Sequence, residues 1–283
     1  MKFAKMQGTG NDYIYVNCFE ETVFDPPAAA KILSDRHFGV GSDGLVLIEP
    51  SDRADFKMDI YNSDGSRARM CGNAARCVAK YVCDNGLTDK SLISLETPGG
   101  IKYIDIYKEN GKVVSARVNM GAPILKSRDI PALFDSDTVI DLPLKVGEKA
   151  YRVTCLSMGN PHCVVFSNDA DSVNIQKTGP EFENHPAFPD RINTEFVQPL
   201  SDSRIKMRVW ERGAGETLSC GTGACAAAAA CILNGYCKRD TDITVTLRGG
   251  DLSVNWSADG AVYLTGPAAT VFTGEIACCG GAR

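Results

Sequence analysis

A chain of 283 residues is long enough for about two domains, each with its own core. Its 44% hydrophobic and 23% charged residues are ordinary for a globular protein, and a net charge of −5 supplies no field favouring nucleic acid or an anionic membrane. The opening Met1-Lys2-Phe3-Ala4-Lys5-Met6 lacks the apolar stretch of a secretion signal, and the longest apolar run, 224–233, is too short to span a bilayer; a cytoplasmic protein is expected, with neither nucleic acid nor membrane as partner.

In chain order, Gly8-Thr9-Gly10-Asn11 predicts a turn and the β-branched, aromatic run 12–19 a strand. Asp25 before Pro26-Pro27 predicts an N-cap and a short helix to about Arg36. Gly39-Val40-Gly41-Ser42-Asp43-Gly44 has the letters of a dinucleotide fingerprint in the wrong context, because a helix precedes it and the strand 45–48 follows. No nucleotide site is assigned there. A strand at 56–61 leads through Asn62-Ser63-Asp64-Gly65 to Cys71 and a helix that stops at Asn85-Gly86. Strands at 91–96, 101–107 and 112–119 follow, separated by glycine turns, and Gly121-Ala122-Pro123 closes a first half. The second half runs through strands at 163–166, 194–198 and 204–210 to Cys220, whose helix ends at Asn234-Gly235. Further strands turn at Gly249-Gly250 and Asp259-Gly260, Gly266-Pro267 mirrors the first closure, and the tail 268–283 holds one strand, 270–275. Hairpins enclosing one helix, twice over, predict an α+β fold with domains 1–120 and 121–267.

The two halves share more than order. Cys220-Gly221 stands 149 positions after Cys71-Gly72. The same offset superposes Gly159-Asn160 on Gly10-Asn11, Lys206-Met207 on Lys57-Met58, Asn234-Gly235 on Asn85-Gly86 and Glu211 on Asn62. Sparse identity at one offset reads as an internal duplication. It predicts two pseudo-symmetric domains that present their cysteines to each other across a cleft.

Each cysteine stands where a strong helix begins. Unpaired N–H groups and the partial positive charge there bind anions and lower a thiol's pKa, so Cys71 and Cys220 are expected as acid/base groups and Cys220 as a thiolate. Two thiols flanking a small ligand suit transfer of a proton from one face of a carbon to the other. Arg212 is a candidate for a substrate carboxylate, and Glu211 or Asp64 for an ammonium. The chain's twelve cysteines show no Cys-x-x-Cys, and the three histidines show no ligand spacing; no metal site is expected, and the setting reads as reducing. A thiol redox protein and a binder of small anions remain as rival readings.

Gly8-Thr9-Gly10-Asn11-Asp12, Asn62-Ser63-Asp64-Gly65-Ser66, Met70-Cys71-Gly72-Asn73-Ala74-Ala75-Arg76-Cys77, Met158-Gly159-Asn160-Pro161-His162, Asn193-Thr194-Glu195-Phe196-Val197 and Glu211-Arg212-Gly213 through Cys220-Gly221-Thr222-Gly223 together resemble the diaminopimelate epimerases, in that family's order. The resemblance implies two domains, each a mostly antiparallel β-sheet wrapped around a central helix, with the tail 268–283 returning to the first and the active site in the interdomain cleft. It implies epimerisation of LL-2,6-diaminopimelate to the meso form, a step of lysine and peptidoglycan precursor synthesis, with no cofactor and usually in a homodimer. Cys71 and Cys220 would be the acid/base thiols, and Gly72-Asn73 and Gly221-Thr222 would hold the reacting carboxylate by backbone N–H groups. Asn11, Asn62, Asn160, Asn193, Glu211 and Arg212 would hold the substrate, and His162 and Glu211 would tune the thiols. Gly44 departs from the family's usual Gln, and Ala74 from its usual Gly. A racemase of proline, hydroxyproline or histidine is the alternative with the same chemistry.

Overall fold

The computed structural model describes residues 1–277. The chain divides into two compact units, Met1–Val118 with the chain from Thr265 onward, and Asn119–Leu264. The first unit holds β1 (Lys2–Gly8), β2 (Asn11–Asn17), α1 (Pro26–Ser34), β3 (Gly44–Glu49), β4 (Phe56–Asn62), β5 (Arg67–Ala68), α2 (Gly72–Asp84), β6 (Leu92–Thr97), β7 (Gly100–Glu109) and β8 (Lys112–Gly121). The second begins with β9 (Val139–Val146), β10 (Lys149–Ser157), β11 (Pro161–Phe166) and α3 (Ile175–Glu183). It continues with β12 (Asn193–Ser201), β13 (Arg204–Glu211), β14 (Gly215–Thr217), α4 (Gly221–Leu233), β15 (Ile243–Leu247), β16 (Gly250–Trp256) and β17 (Val262–Pro267). The last strand, β18 (Ala269–Glu275), belongs to the first unit. The end of the expected tail, including Cys278 and Cys279, lies outside the described residues.

In the first unit the strands lie in the order β18-β1-β2-β3-β4-β6-β7-β8. Two neighbouring pairs, β2–β3 and β4–β6, are parallel; the others are antiparallel. Parallel neighbours need a long crossover, and α1 and α2 are those two crossovers. The second unit repeats the scheme as β9-β10-β11-β12-β13-β15-β16, with β11–β12 and β13–β15 parallel and bridged by α3 and α4. This is the expected α+β architecture.

Period-2 alternation decides which helix each strand face meets. Ile14 and Val16 of β2 and Leu45 and Leu47 of β3 pack with Ala29, Ala30 and Leu33 of α1. Tyr15 points the other way and meets Cys77 of α2. In the second unit Phe196 of β12 meets Phe182 of α3 edge-on, with ring centroids 5.9 Å apart. α4 packs against β10, β11, β12, β13, β15 and β16, and every residue from Gly223 to Cys231 is buried. A helix apolar on all sides has to be enclosed, and the alanines let the surrounding sheet come close.

Four of the longer elements have no clear signal in the sequence. In β1 the charge of Lys5 hides the alternation, yet Lys5 is buried against Asp12 at 2.6 Å. In β9 and β10 the charges at 141, 145, 149 and 152 obscure the pattern, and Pro143 marks an edge strand. In α3 the pair Gly179-Pro180 reads as a break. Here glycine is required: a Cβ at 179 would sit 2.3 Å from Trp210 Cδ2, so the bare backbone lets the indole of β13 lie on the helix. α3 lies 149 positions after α1, and the N-caps Asp25 and Asn174 take the same bond, from the N–H of Ala28 and of Lys177. No helix among the described residues is long and apolar enough to cross a membrane.

Candidate active site

In the first unit, Cys71 is the N-cap of α2, extended at φ −142° and ψ 117°. Its half-buried sulfur takes the Ala74 N–H at 3.5 Å and donates to Asn11 Oδ1 at 3.5 Å. Asn11 cannot rotate at will, because its Nδ2 donates to Asp43 Oδ2 at 2.7 Å while its Oδ1 also takes Asn73 Nδ2 at 3.3 Å. Asp43 stands beside Asp12, which pairs with Lys5 and Arg36. Burial and the neighbouring Asp12 raise the Asp43 carboxyl above the usual range; for Asp12, burial opposes ionisation but Arg36 and Lys5 outweigh it. Asn73 itself is buried, its Oδ1 taking Arg76 Nη2 at 2.9 Å. Its side chain is therefore a brace between Asn11 and Arg76. The first intrahelical bond of α2 runs from the Ala75 N–H to the Cys71 carbonyl at 3.0 Å, so the N–H groups of Gly72 and Asn73 precede the helical ladder.

Asn62 ends β4, its Nδ2 on Ser66 Oγ at 2.9 Å. Gly44 lies opposite it in the ladder, and a Cβ there would fall 2.2 Å from the Tyr61 carbonyl oxygen. The missing side chain is thus built into the close approach of β3 and β4. Ala74 lies outside the left-handed region, which explains why this position does without glycine.

In the second unit, Cys220 is the N-cap of α4, at φ −121° and ψ 111°. Its sulfur takes the Gly223 N–H at 3.4 Å and lies 3.5 Å from Thr222 Oγ1. The Ala224 N–H bonds the Cys220 carbonyl at 2.9 Å, again leaving two earlier N–H groups, those of Gly221 and Thr222, ahead of the ladder. Glu211, at the end of β13, takes a hydrogen bond from Thr217 Oγ1 and lies beside the Cys220 thiol. Burial pushes its carboxyl up, partly offset by Thr217, the Cys220 thiol and His162.

The expectation of a resting Cys220 thiolate is corrected here. Burial raises its pKa well above that of an ordinary thiol, and the nearby Glu211 and Glu195 carboxyls add to the shift. The two hydrogen bonds from the helix start oppose this without overcoming it. A helix terminus lowers a thiol's pKa where water or cations share the work; here the thiol is only 5% exposed and faces two acids.

His162 and Asn160 lie at and just before the start of β11, with His162 Nε2 3.0 Å from Asn160 Oδ1 and Nδ1 2.7 Å from Glu195 Oε1. Asn193 is buried and engaged at both ends, Nδ2 on the Pro161 carbonyl at 2.8 Å and Oδ1 taking the Arg212 N–H at 2.9 Å. It fixes the backbone that presents Arg212, whose exposed guanidinium touches the Asp190 carbonyl at 2.8 Å. Three residues of these sites were not singled out from sequence: Asp43, Thr217 and Glu195. The available signal for Glu195 was a carboxylate directly before the apolar pair Phe196-Val197 in a predicted strand, since a charge buried there needs a partner.

A model of the diaminopimelate epimerase family matches residues 3–126 and 154–271, which include both cysteines and their helices. The chain belongs to this family. Diaminopimelate epimerases of Acetivibrio thermocellus and Methanococcus maripaludis (strain C5) are each 55% identical to it over 277 residues, spanning 98% of this chain and 98% and 99% of theirs. That of Agathobacter rectalis is 56% identical over 284 residues, 98% of this chain and 99% of its own. Among solved structures, a phenazine biosynthesis protein of the PhzF family from Bacillus anthracis superposes at TM-score 0.71 with 16% identity, covering 98% of this chain and 99% of that one. A probable proline racemase from Agrobacterium radiobacter follows at 0.69 and 15%, covering 98% and 92%. At such identities these two share the fold with this family, and their likeness stops there.

Proposed function

We propose that the chain is an isomerase that converts LL-2,6-diaminopimelate to meso-diaminopimelate by a two-base proton transfer that needs no pyridoxal phosphate. The observation that supports it is the pairing of family membership with two repeat-matched cysteines, each capping a buried helix. One sulfur, as thiolate, takes the proton from the α carbon, and the other, as thiol, delivers one to the opposite face. The sulfurs end with their protonation exchanged, and solvent resets them. Cys220, held neutral by burial and by Glu211 and Glu195, is the donor in the resting protein. The N–H groups of Gly72, Asn73, Gly221 and Thr222 hold the reacting carboxylate and take up charge as the α carbon loses its proton. Asn11, Asn62, Asn160, Asn193, Glu211 and Arg212 surround the rest of the substrate, and His162 and Glu211 tune the thiols. The domains are 1–120 with the returning tail and 121–267, each supplying one thiol.

Turnover in deuterated water tests the mechanism. Solvent deuterium is expected in the newly formed epimer well before it enters recovered substrate; equal early labelling of both would mean that one base serves both faces. Protein purified without pyridoxal phosphate should be fully active. Turnover of proline or histidine with none of diaminopimelate would replace the substrate. We also propose a cytoplasmic homodimer, for which light scattering should give twice the chain mass of 30.4 kDa.

A further inference from the structure

Glu195 and His162, on the neighbouring parallel strands β12 and β11, both have 0% exposure. The ring of His162 is held at both nitrogens, Nδ1 against Glu195 Oε1 at 2.7 Å and Nε2 against Asn160 Oδ1 at 3.0 Å. Burial raises the Glu195 carboxyl above its usual range and the facing His162 ring opposes that rise, while Glu195 Oε2 is buried with no hydrogen-bond partner. With Glu195 ionised and Asn160 presenting Oδ1, both atoms facing the ring are acceptors only, and the ring that satisfies both is the imidazolium. The first turn of α4 closes over the pair: the point where a Cβ would stand on Gly223 is 2.7 Å from Glu195 Oε1 and 3.3 Å from Cys220 Sγ. The other titratable groups facing the pair are Glu211 at the end of β13 and Cys220 at the start of α4; Cys163 on β11 lies near Glu195 but on the opposite face of the sheet, with Phe182 and Phe196.

We infer that Glu195 is a positioning residue: it holds His162 as the imidazolium, and so turns the Asn160 amide oxygen inward and leaves the Asn160 NH2 as a donor for substrate. With a neutral ring protonated at Nδ1 alone, Nε2 would accept, and Asn160 would turn its NH2 inward instead. A proton on His162 therefore decides which end of Asn160 a substrate oxygen meets. The inference deepens the proposed function, resting on Asn160 as a substrate contact.

The experiment is nitrogen-15 NMR of histidine-labelled protein without substrate. The chain has three histidines, so His37→Gln and His185→Gln identify the His162 signals by elimination. Both ring nitrogens of His162 should carry protons at assay pH; a ring with one protonated nitrogen overturns the inference. In Glu195→Gln, which keeps volume and one acceptor, the ring should become neutral. Its kcat/KM for diaminopimelate should fall about 10- to 100-fold, the scale of a charge-assisted hydrogen bond, chiefly through KM. Asn160→Ala should then cost little more on that background than alone. Unchanged activity, or losses that multiply independently, would overturn it. If Glu195→Gln does not fold, the unmutated spectrum still decides, and it does so whether or not the chain turns over diaminopimelate.

Discussion

Cys71 and Cys220 occupy matched positions and meet opposite surroundings. Cys71 is half-buried beside a neutral amide, Asn11, whereas Cys220 is buried beside Glu211. Replacing either by serine should lower the rate of epimerisation by at least about 100-fold, the usual contribution of a placed acid or base; a variant within tenfold of the parent in a coupled assay would exclude that cysteine from the chemistry. Other thiols bear on stability. Burial is the leading cause that pushes both Cys77 and Cys18 up to about 11. A thiol raised in this way stabilises the folded state while neutral; that contribution is complete below the unfolded value of about 8.5 and is lost as pH rises through the folded one. The denaturation midpoint is therefore expected to drop between pH 8 and pH 11, and less so in Cys77→Ala. A flat midpoint across that window would contradict the burial argument.

The central helices show how a repeated element diverges. α2 carries Ala74 where α4 carries Gly223, and the first turn of α4 lies against the buried carboxylate of Glu195. Gly223→Ala would drive a methyl into Glu195 and Cys220, and overpacking of about 1–3 kcal/mol should lower the melting midpoint by roughly 3–10 °C and disable turnover. A variant with normal melting and activity would mean the turn relaxes freely. Ala226 and Ala228 are fully buried inside the sheet. Ala228→Leu has nowhere to place three further carbons and should be destabilised by a similar amount, measurable by urea denaturation.

At the scale of the molecule, the units differ in where their edge strand comes from. β9 reaches β10 by a short hairpin, whereas β18 joins β1 from the far end of the chain, with the Met1 amine donating to the Ile276 carbonyl at 2.7 Å across 275 positions. Removing residues 268–283 should strip β18 from β1 and expose a row of unpaired backbone groups. The truncated protein is expected to melt earlier and aggregate in light scattering; a melting midpoint equal to that of the full chain would show that β18 adds nothing to the first unit. Such distant pairing also predicts slow folding of that unit.

How much was legible follows from the range of each interaction. The duplication, the glycine turns, the two helix starts with their cysteines and the α+β class depend on residues near one another in sequence, so the letters alone carry them. Neighbours distant in the chain decided the rest. Trp210 lies on Gly179 of α3, a helix that has no prediction among the sequence elements, Asp12 allows Lys5 to be buried in β1, and the Tyr61 carbonyl leaves no room for a Cβ at Gly44. The protonation of Cys220 was decided in the same way. A helix start argues for a thiolate, but enclosure by Glu211 and Glu195 argues more strongly for a thiol. Local geometry can be read from a sequence because it is paid in backbone angles and adjacent hydrogen bonds. The charge a buried group carries depends on the dielectric and the partners around it, and only the folded chain supplies those.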